Sequence, residues 1–357
     1  MLHLMWGKFP PASLKPGRKM DRLKALRSGR PATYPDNAIY AQFAAERCNL
    51  GFRDHDGGTG LVFSVSNATR TAFFGAGKCP AYPQNDSTSA YLATDKYFAN
   101  RILTDLQIPN LGGEYFFLHD RFRSLRTPGH ERLDALEYLK RLGGRCFVKP
   151  LTGSRGDFAQ RIDGPAALQS YIEDVQRYHD AIIIQEIADG IEYRVFVQDD
   201  AVVYCTRKTV PQLRGDGVST VSELLGRMDD LLAGKGTSIA AKARWLPPGL
   251  STEKVLAKGE TIALPGRANL SAGGTMTLVD PRNRDAAFSL AIRATRALGL
   301  RLAGVDLFAA ESEGRSDYRV IELNSNPSVR FLEDISRTDL LEKIWRGTFA
   351  FLDLIDD

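Results

Sequence analysis

Between positions 320 and 327 the chain reads Val320-Ile321-Glu322-Leu323-Asn324-Ser325-Asn326-Pro327, and this stretch constrains the fold more than any other. Its apolar residues have strand character and run out at an Asn-Pro turn, which leaves Glu322 and Asn324 two apart at a strand end. Residues two apart on a strand project from one face, so a carboxylate and an amide oxygen aim at one spot. A second short apolar run ends in Ala303-Gly304-Val305-Asp306, with another carboxylate. A few hard oxygen donors on rigid strands suit Mg²⁺ held mainly by substrate phosphates. Taken alone, the same letters are also ordinary turn chemistry beside a solvated acid.

The 357 residues, 43% hydrophobic and 25% charged, are enough for two or three domains of an ordinary soluble protein. No apolar run reaches the roughly 18 residues that cross a bilayer, and the start lacks the apolar core of a secretory signal, so a cytoplasmic protein without a membrane partner is expected. Cys48, Cys79, Cys146 and Cys205 form no C-x-x-C pair and the five histidines no zinc spacing, which predicts reduced, structural cysteines. Residues 1–30 hold eight Lys and Arg against Asp21; this arm carries +7 of a total of +4, leaving −3 for the rest. No aromatic residues interleave with those cations, so a solvated, partly disordered arm is expected rather than a nucleic-acid platform.

Residues 31–90 are rich in Gly, Pro, Asn and Asp, with one strand expected at 60–65, and read as a small N-terminal domain. Beyond them the periodicity predicts helices at 90–106, 131–141, 165–178, 219–225, 286–298 and 340–354. Strands are expected at 145–150, 181–187, 192–197, 201–208, 301–308 and 318–323, with a charged loop at 309–317 and an irregular stretch at 235–258. Hairpins with interspersed helices argue an α+β class in several layers.

Two further segments carry chemistry. After Lys149 the chain reads Pro150-Leu151-Thr152-Gly153-Ser154-Arg155-Gly156-Asp157, where small residues between glycines let backbone N–H groups approach phosphate oxygens. It is no Walker A loop, and a plain turn explains it equally in isolation. Further on, the strand of Ile182, Ile183 and Ile184 leads through Gln185-Glu186-Ile187-Ala188-Asp189-Gly190 to Glu192-Tyr193-Arg194. Exposed backbone at Glu186, Ile187 and Ala188 suits an adenine edge and Glu192 suits ribose hydroxyls; a surface hairpin with a Glu/Arg pair is the other reading.

In this order the three segments resemble the ATP-grasp family over about residues 85–331. Finer matches, in Ser89-Ala90-Tyr91-Leu92-Ala93-Thr94-Asp95-Lys96, Glu192-Tyr193-Arg194-Val195, Gly215-Asp216-Gly217-Val218 and Ala268-Asn269-Leu270-Ser271-Ala272-Gly273-Gly274-Thr275, are similar to the ATP-grasp module of cyanophycin synthetase and the glutathione-synthetase half of bifunctional glutathione enzymes. The resemblance implies an ATP-grasp fold in which residues 91–195 and 196–357 hold the nucleotide between two α+β subdomains. It implies ATP with two Mg²⁺ (or Mn²⁺) as cofactors. Lys96, Lys149 and the loop of Gly153, Ser154, Arg155 and Gly156 would contact phosphates, Glu186, Ile187 and Ala188 the adenine, and Glu192 the ribose. Asp306, Glu322 and Asn324 would bind metal; Arg194, Arg267 and Asn269, with Lys208, would meet the transferring phosphoryl group. Relatives usually carry a basic residue directly after the strand, whereas here Pro265-Gly266 separate Leu264 from Arg267.

The activity implied is ADP-forming ligation of a carboxylate to an amine of amino-acid or peptide substrates, by a stand-alone enzyme lacking the large N-terminal ligase and C-terminal Mur-ligase-like modules of those relatives. A small-molecule kinase and a non-catalytic nucleotide-binding module are the alternatives. Family members are often dimers or tetramers, which makes a homo-oligomer one expectation.

Overall fold

The computed structural model describes residues 16–77, 79–153, 156–188, 190–233, 246–247, 249–264, 273–312 and 315–356. The first layer comprises α1 (Pro16–Ser28), α2 (Asp36–Arg47) and a meander of β1 (Gly51–Asp54), β2 (Val62–Ser66) and β3 (Thr71–Gly75). Sequence reading found only the middle strand here, because Gly and Asp dominate the turns and the flanking strands are short. Asp56 closes the β1–β2 turn by accepting from the backbone N–H groups of Thr59, Gly60, Leu61 and Val62.

The charged arm needs correction. From Pro16 it is helical, and Leu23 and Leu26 are buried in the core. Its cations meet acids on neighbouring elements: Lys19 pairs with Glu342 at 3.0 Å and Arg22 with Glu46 at 2.8 Å, and Arg27 holds Glu333 at 2.8 Å. A charge count cannot see that the complementary acids lie elsewhere in the chain.

Next come α3 (Ser87–Thr94) and α4 (Lys96–Asp105), where one continuous helix was expected. Asp95 adopts an extended conformation between them, and its carboxylate caps α4 by accepting from Tyr97 N and Phe98 N at 2.9 and 3.0 Å. The apolar period runs through the break, which hides it. Then follow β4 (Glu114–Phe117), a single 3₁₀ turn, α5 (Arg132–Arg141), β5 (Arg145–Pro150), β6 (Gln160–Asp163), α6 (Pro165–Val175) and β7 (Ala181–Gln185). These strands form an antiparallel sheet in the order β4-β7-β5-β6, against which α5 and α6 bury Leu139, Leu168 and Ile172 with Val148, Ile182 and Ile184.

The larger sheet has the order β12-β9-β8-β13-β14, from β8 (Ile191–Gln198), β9 (Ala201–Thr209), β12 (Thr275–Leu278), β13 (Leu302–Ser312) and β14 (Arg315–Asn324). Between them lie β10 (Gln212–Arg214), α7 (Val221–Ala233), β11 (Thr261–Ala263) and α8 (Arg284–Ala297), with α9 (Arg330–Asp334) and α10 (Thr338–Phe351) closing the chain. Strand structure extends through Ser312 and resumes at Arg315, so most of the expected loop at 309–317 is β-ladder; the helix expected at 219–225 extends to Ala233. β8 runs unbroken through the division expected at 195/196.

The large sheet has two different faces. Tyr193, Val195 and Val197 of β8 and Ala303, Val305 and Leu307 of β13 pack with α8. The alternate residues Phe196, Tyr204 and Leu302 join a second core with α9, α10 and the N-terminal layer, where the Phe74 and Trp345 rings lie 5.9 Å apart. Alternate residues of β8 thus place Glu192 and Arg194 on the face of Phe196. No described helix is long and apolar enough to cross a membrane.

Candidate active site

A bulge aligns the acidic residues. Asp306 pairs in register with Glu322, yet Leu307 pairs with Val320, leaving Ile321 as the extra residue on β14. Tyr318, Val320 and Leu323 all belong to the α8 core, so the phase of alternation switches at Ile321. That switch puts Glu322 on the face opposite Val320, as Leu323 returns to the core. Across the sheet, Arg194, Asp306 and Glu322 fall in one row on β8, β13 and β14, and Asn324 lies opposite Gly304.

Within this row Asp306, 1% exposed, accepts from Arg194 Nε and Nη2 at 2.6 and 2.8 Å and from Lys208 Nζ at 3.2 Å. Lys208 also pairs with Glu192 at 3.0 Å. Burial works against ionising Asp306, but Arg194 and Lys208 outweigh it and hold the carboxyl below its ordinary range. Burial likewise opposes the Lys208 charge, and Asp306 with Glu192 hold it above the usual lysine value. Glu322, with Lys149 Nζ 3.8 Å away, is also held low by that cation against the cost of burial.

Lys149 comes from β5 of the smaller sheet, so its approach to Glu322 marks where the two sheets face each other. Lys96 joins it from the start of α4: its backbone N–H donates to Leu151 O at 3.2 Å and its ammonium to Gly153 O at 3.1 Å. Burial, with Lys149 adding to it, pushes the Lys96 pKa down. Gly153 and Gly156 have φ of +132° and +67°, conformations that favour glycine. The Glu186 side chain, expected at an adenine, ion-pairs with Arg319 of β14, while Ile187 and Ala188 are half-buried.

Ser154, Arg155, Asp189, Arg267 and Asn269 lie outside the described residues. Lys96, Lys149, Gly153, Glu192, Arg194, Lys208, Asp306, Glu322 and Asn324 are linked by the contacts and strand pairings above. Sequence reading missed Tyr204, which is buried with a hydroxyl that has no hydrogen-bond partner among the described residues and shares its strand face with Thr206 and Lys208. Its spacing from Lys208 was the available signal. It also missed Arg319 and the Asn85 amide, which accepts from Leu302 N and donates to Leu302 O and Ser325 O.

The donors fit a hard divalent cation. A carboxylate offers about four lone-pair directions; three are taken on Asp306, two of them at Oδ2. Asn324 donates through Nδ2 to Gly304 O, leaving its amide oxygen as an acceptor. Among the described residues no group of three or more His, Cys, Asp or Glu could hold a metal; Asp306, Glu322 and Asn324 offer two carboxylates and an amide.

Residues 252–347, which include Asp306, Glu322 and Asn324, match the family described as RimK-like ATP-grasp domain. Over those residues the chain carries a RimK-like ATP-grasp domain. The fold is accordingly α+β, of the ATP-grasp type. Outside the matched stretch lie Lys96, Lys149 and Arg194. The glutathione biosynthesis bifunctional protein GshAB of Listeria welshimeri is 31% identical over 163 residues, covering 43% of this chain and 21% of that protein. The GshAB protein of Enterococcus faecalis is 29% identical over 228 residues, covering 57% of this chain and 30% of its own length. The chain thus spans under a third of these curated relatives. A bifunctional glutathione synthetase from Pasteurella multocida aligns with a TM-score of 0.49 and 15% identity over 87% of this chain and 44% of that one.

Proposed function

We propose that this protein is an ATP-dependent ligase that joins a carboxylate to an amine of amino-acid or short-peptide substrates, releasing ADP and phosphate. The observation that carries this reading is the row of Arg194, Asp306 and Glu322 on one sheet faced by Lys149 of the other. Such an arrangement neutralises a polyphosphate from two sides.

In this reading Asp306, Glu322 and Asn324 would hold Mg²⁺, which would supply charge neutralisation of the nucleotide phosphates. Lys149 and Lys96 bind phosphate oxygens, and the backbone of 186–188 lies along the adenine with Glu192 at the ribose. Arg194 has five N–H donors and commits two to Asp306, so among the described residues the others remain to hold the transferring phosphoryl group. Lys208 steadies Asp306 and Glu192 together. The substrate carboxylate oxygen attacks the γ-phosphorus and the bond to ADP breaks, giving an acyl phosphate. The amine then bonds to the acyl carbon, phosphate leaves, and the amine sheds a proton to phosphate or solvent. Glycine-loop residues 153–156, with Arg267 and Asn269, are assigned to the same phosphates by resemblance.

The test is ADP release by purified protein with Mg-ATP and pooled amino acids and short peptides, followed by mass spectrometry. A product weighing two components less one water supports ligation. AMP as the nucleotide product refutes the mechanism, and a stable product carrying one added phosphate establishes a kinase.

A further inference from the structure

A cavity of about 460 Å³ lies beside the end of β14, walled by β3, residues 79–85, α3 and Ser325. Its size falls within the ~300–1,000 Å³ usual for small-molecule sites. Ser325 directly follows Asn324, and two hydrogen bonds tie the cavity wall to this turn: Ala81 N donates to Asn326 Oδ1 at 3.3 Å, and Asn85 Nδ2 to Ser325 O at 3.0 Å. The cavity therefore lies beside the turn that directly follows Asn324.

Among the described residues its lining is uncharged and mainly apolar, with Asn85, Ser87, Thr94 and Ser325 as its polar members. Phe73 and Tyr91 are 66% and 63% exposed, although both are large rings. Tyr82 lines the cavity as well; it is fully buried and its hydroxyl has no hydrogen-bond partner among the described residues. A charged side chain entering here would give up part of its water without finding an opposite charge among the described lining residues. An aromatic or branched aliphatic side chain would instead cover exposed ring surface.

We infer that this cavity is a specificity subsite that receives an uncharged, apolar side chain of the substrate being ligated. The inference rests on the ligase reading for its location, because that reading assigns Asn324 to the metal and the nucleotide phosphates that the substrate carboxylate attacks. It narrows the substrate class from amino acids and peptides in general to those with an apolar residue at the bond formed. Phe73 and Tyr91 act as specificity residues at the mouth, and Cys79, exposed between them and Gly75, sets the room available.

The test titrates the full protein, saturated with a non-hydrolysable Mg-ATP analogue, with N-acetylphenylalanine, N-acetylleucine, N-acetylaspartate and N-acetyllysine, and with the matching amino-acid amides. The expected result is binding of the Phe or Leu probes about tenfold or more tighter than the charged ones. Phe73→Ala and Tyr91→Ala, both at exposed positions, should each erode that preference, while Cys79→Trp should disfavour Phe more than Leu. Equal affinity across the series, preference for a charged probe, no binding of any probe, or indifference to all three substitutions overturns the subsite. Product masses from the ligation assay separate the two readings. Apolar-selective binding without any amide product sinks the ligase reading alone, whereas amide products from charged residues with unchanged variants sink the subsite alone.

Discussion

Arg194 and Asp306 face each other in register across β8 and β13 and close a two-pronged ion pair at 2.6 and 2.8 Å, with Asp306 sealed from solvent. Lys208 joins from β9, giving Asp306 two cations and Glu192 a share of one of them. The cluster is both a candidate catalytic centre and a structural liability, since removing one member strands the others.

Asp306→Asn should cost about 3–5 kcal/mol in urea unfolding, because Arg194 and Lys208 then lose their buried counter-charge. The double variant Arg194→Met, Asp306→Leu should be more stable than the sum of the two single changes indicates. Strict additivity in this cycle would show that the pair does not couple.

Glu322→Gln should reduce ADP release by about 100-fold or more while leaving the melting temperature within a few degrees, since Glu322 is less deeply sealed than Asp306. Lys149→Ala should weaken binding of an ATP analogue. Wild-type affinity in the lysine variant would remove it from the phosphate site.

Asp95→Ala should destabilise the protein by about 1 kcal/mol, the usual worth of a helix cap. Because Lys96 is the first residue of α4, the ATP KM should rise as well. A stability loss without any change in KM would mean that the cap does not position Lys96.

The acid limb of stability should trace to α1. Burial works against Glu333 ionising, but hydrogen bonds from Arg27 and Tyr40 outweigh it and hold its pKa below the ordinary value. A depressed carboxyl contributes stability that is fully present above its unfolded pKa, about 4.3, and is lost as pH falls through the folded value. Glu333→Gln should lower the melting temperature at pH 7 and flatten its decline below about pH 4.3. An unchanged acid limb would place the effect elsewhere.

Much of this architecture is legible in the letters, for reasons local to the chain. Strand β5 reads correctly because Gly143-Gly144 and Pro150 bracket it, and Asp306, Glu322 and Asn324 stand out because each ends an apolar run. Hidden features depend on partners distant in sequence. The Ile321 bulge lets Val320 and Leu323, of opposite phase along the strand, both reach the α8 core, and the break at Asp95 comes from a cap inside an unbroken apolar period. Basic residues 19–27 read as solvated because Glu333 and Glu342 lie some 300 positions away. The apolar cavity could not be foreseen, since Phe73 and Tyr91 converge only after the meander docks.

That docking has a consequence for the order of synthesis. Phe63, Val65 and Phe74 of the meander share one core with Trp345 and Phe349 of α10, at the far end of the described chain. A nascent chain can pack α1 and α2 on the meander early, but the surface that α10 covers stays open until roughly 270 further residues have left the ribosome, an interval of some 14–54 s at ~5–20 residues per second. The meander is thus fully covered only late in synthesis, and over that interval a chaperone or transient burial would keep its rings from sticking to neighbouring chains.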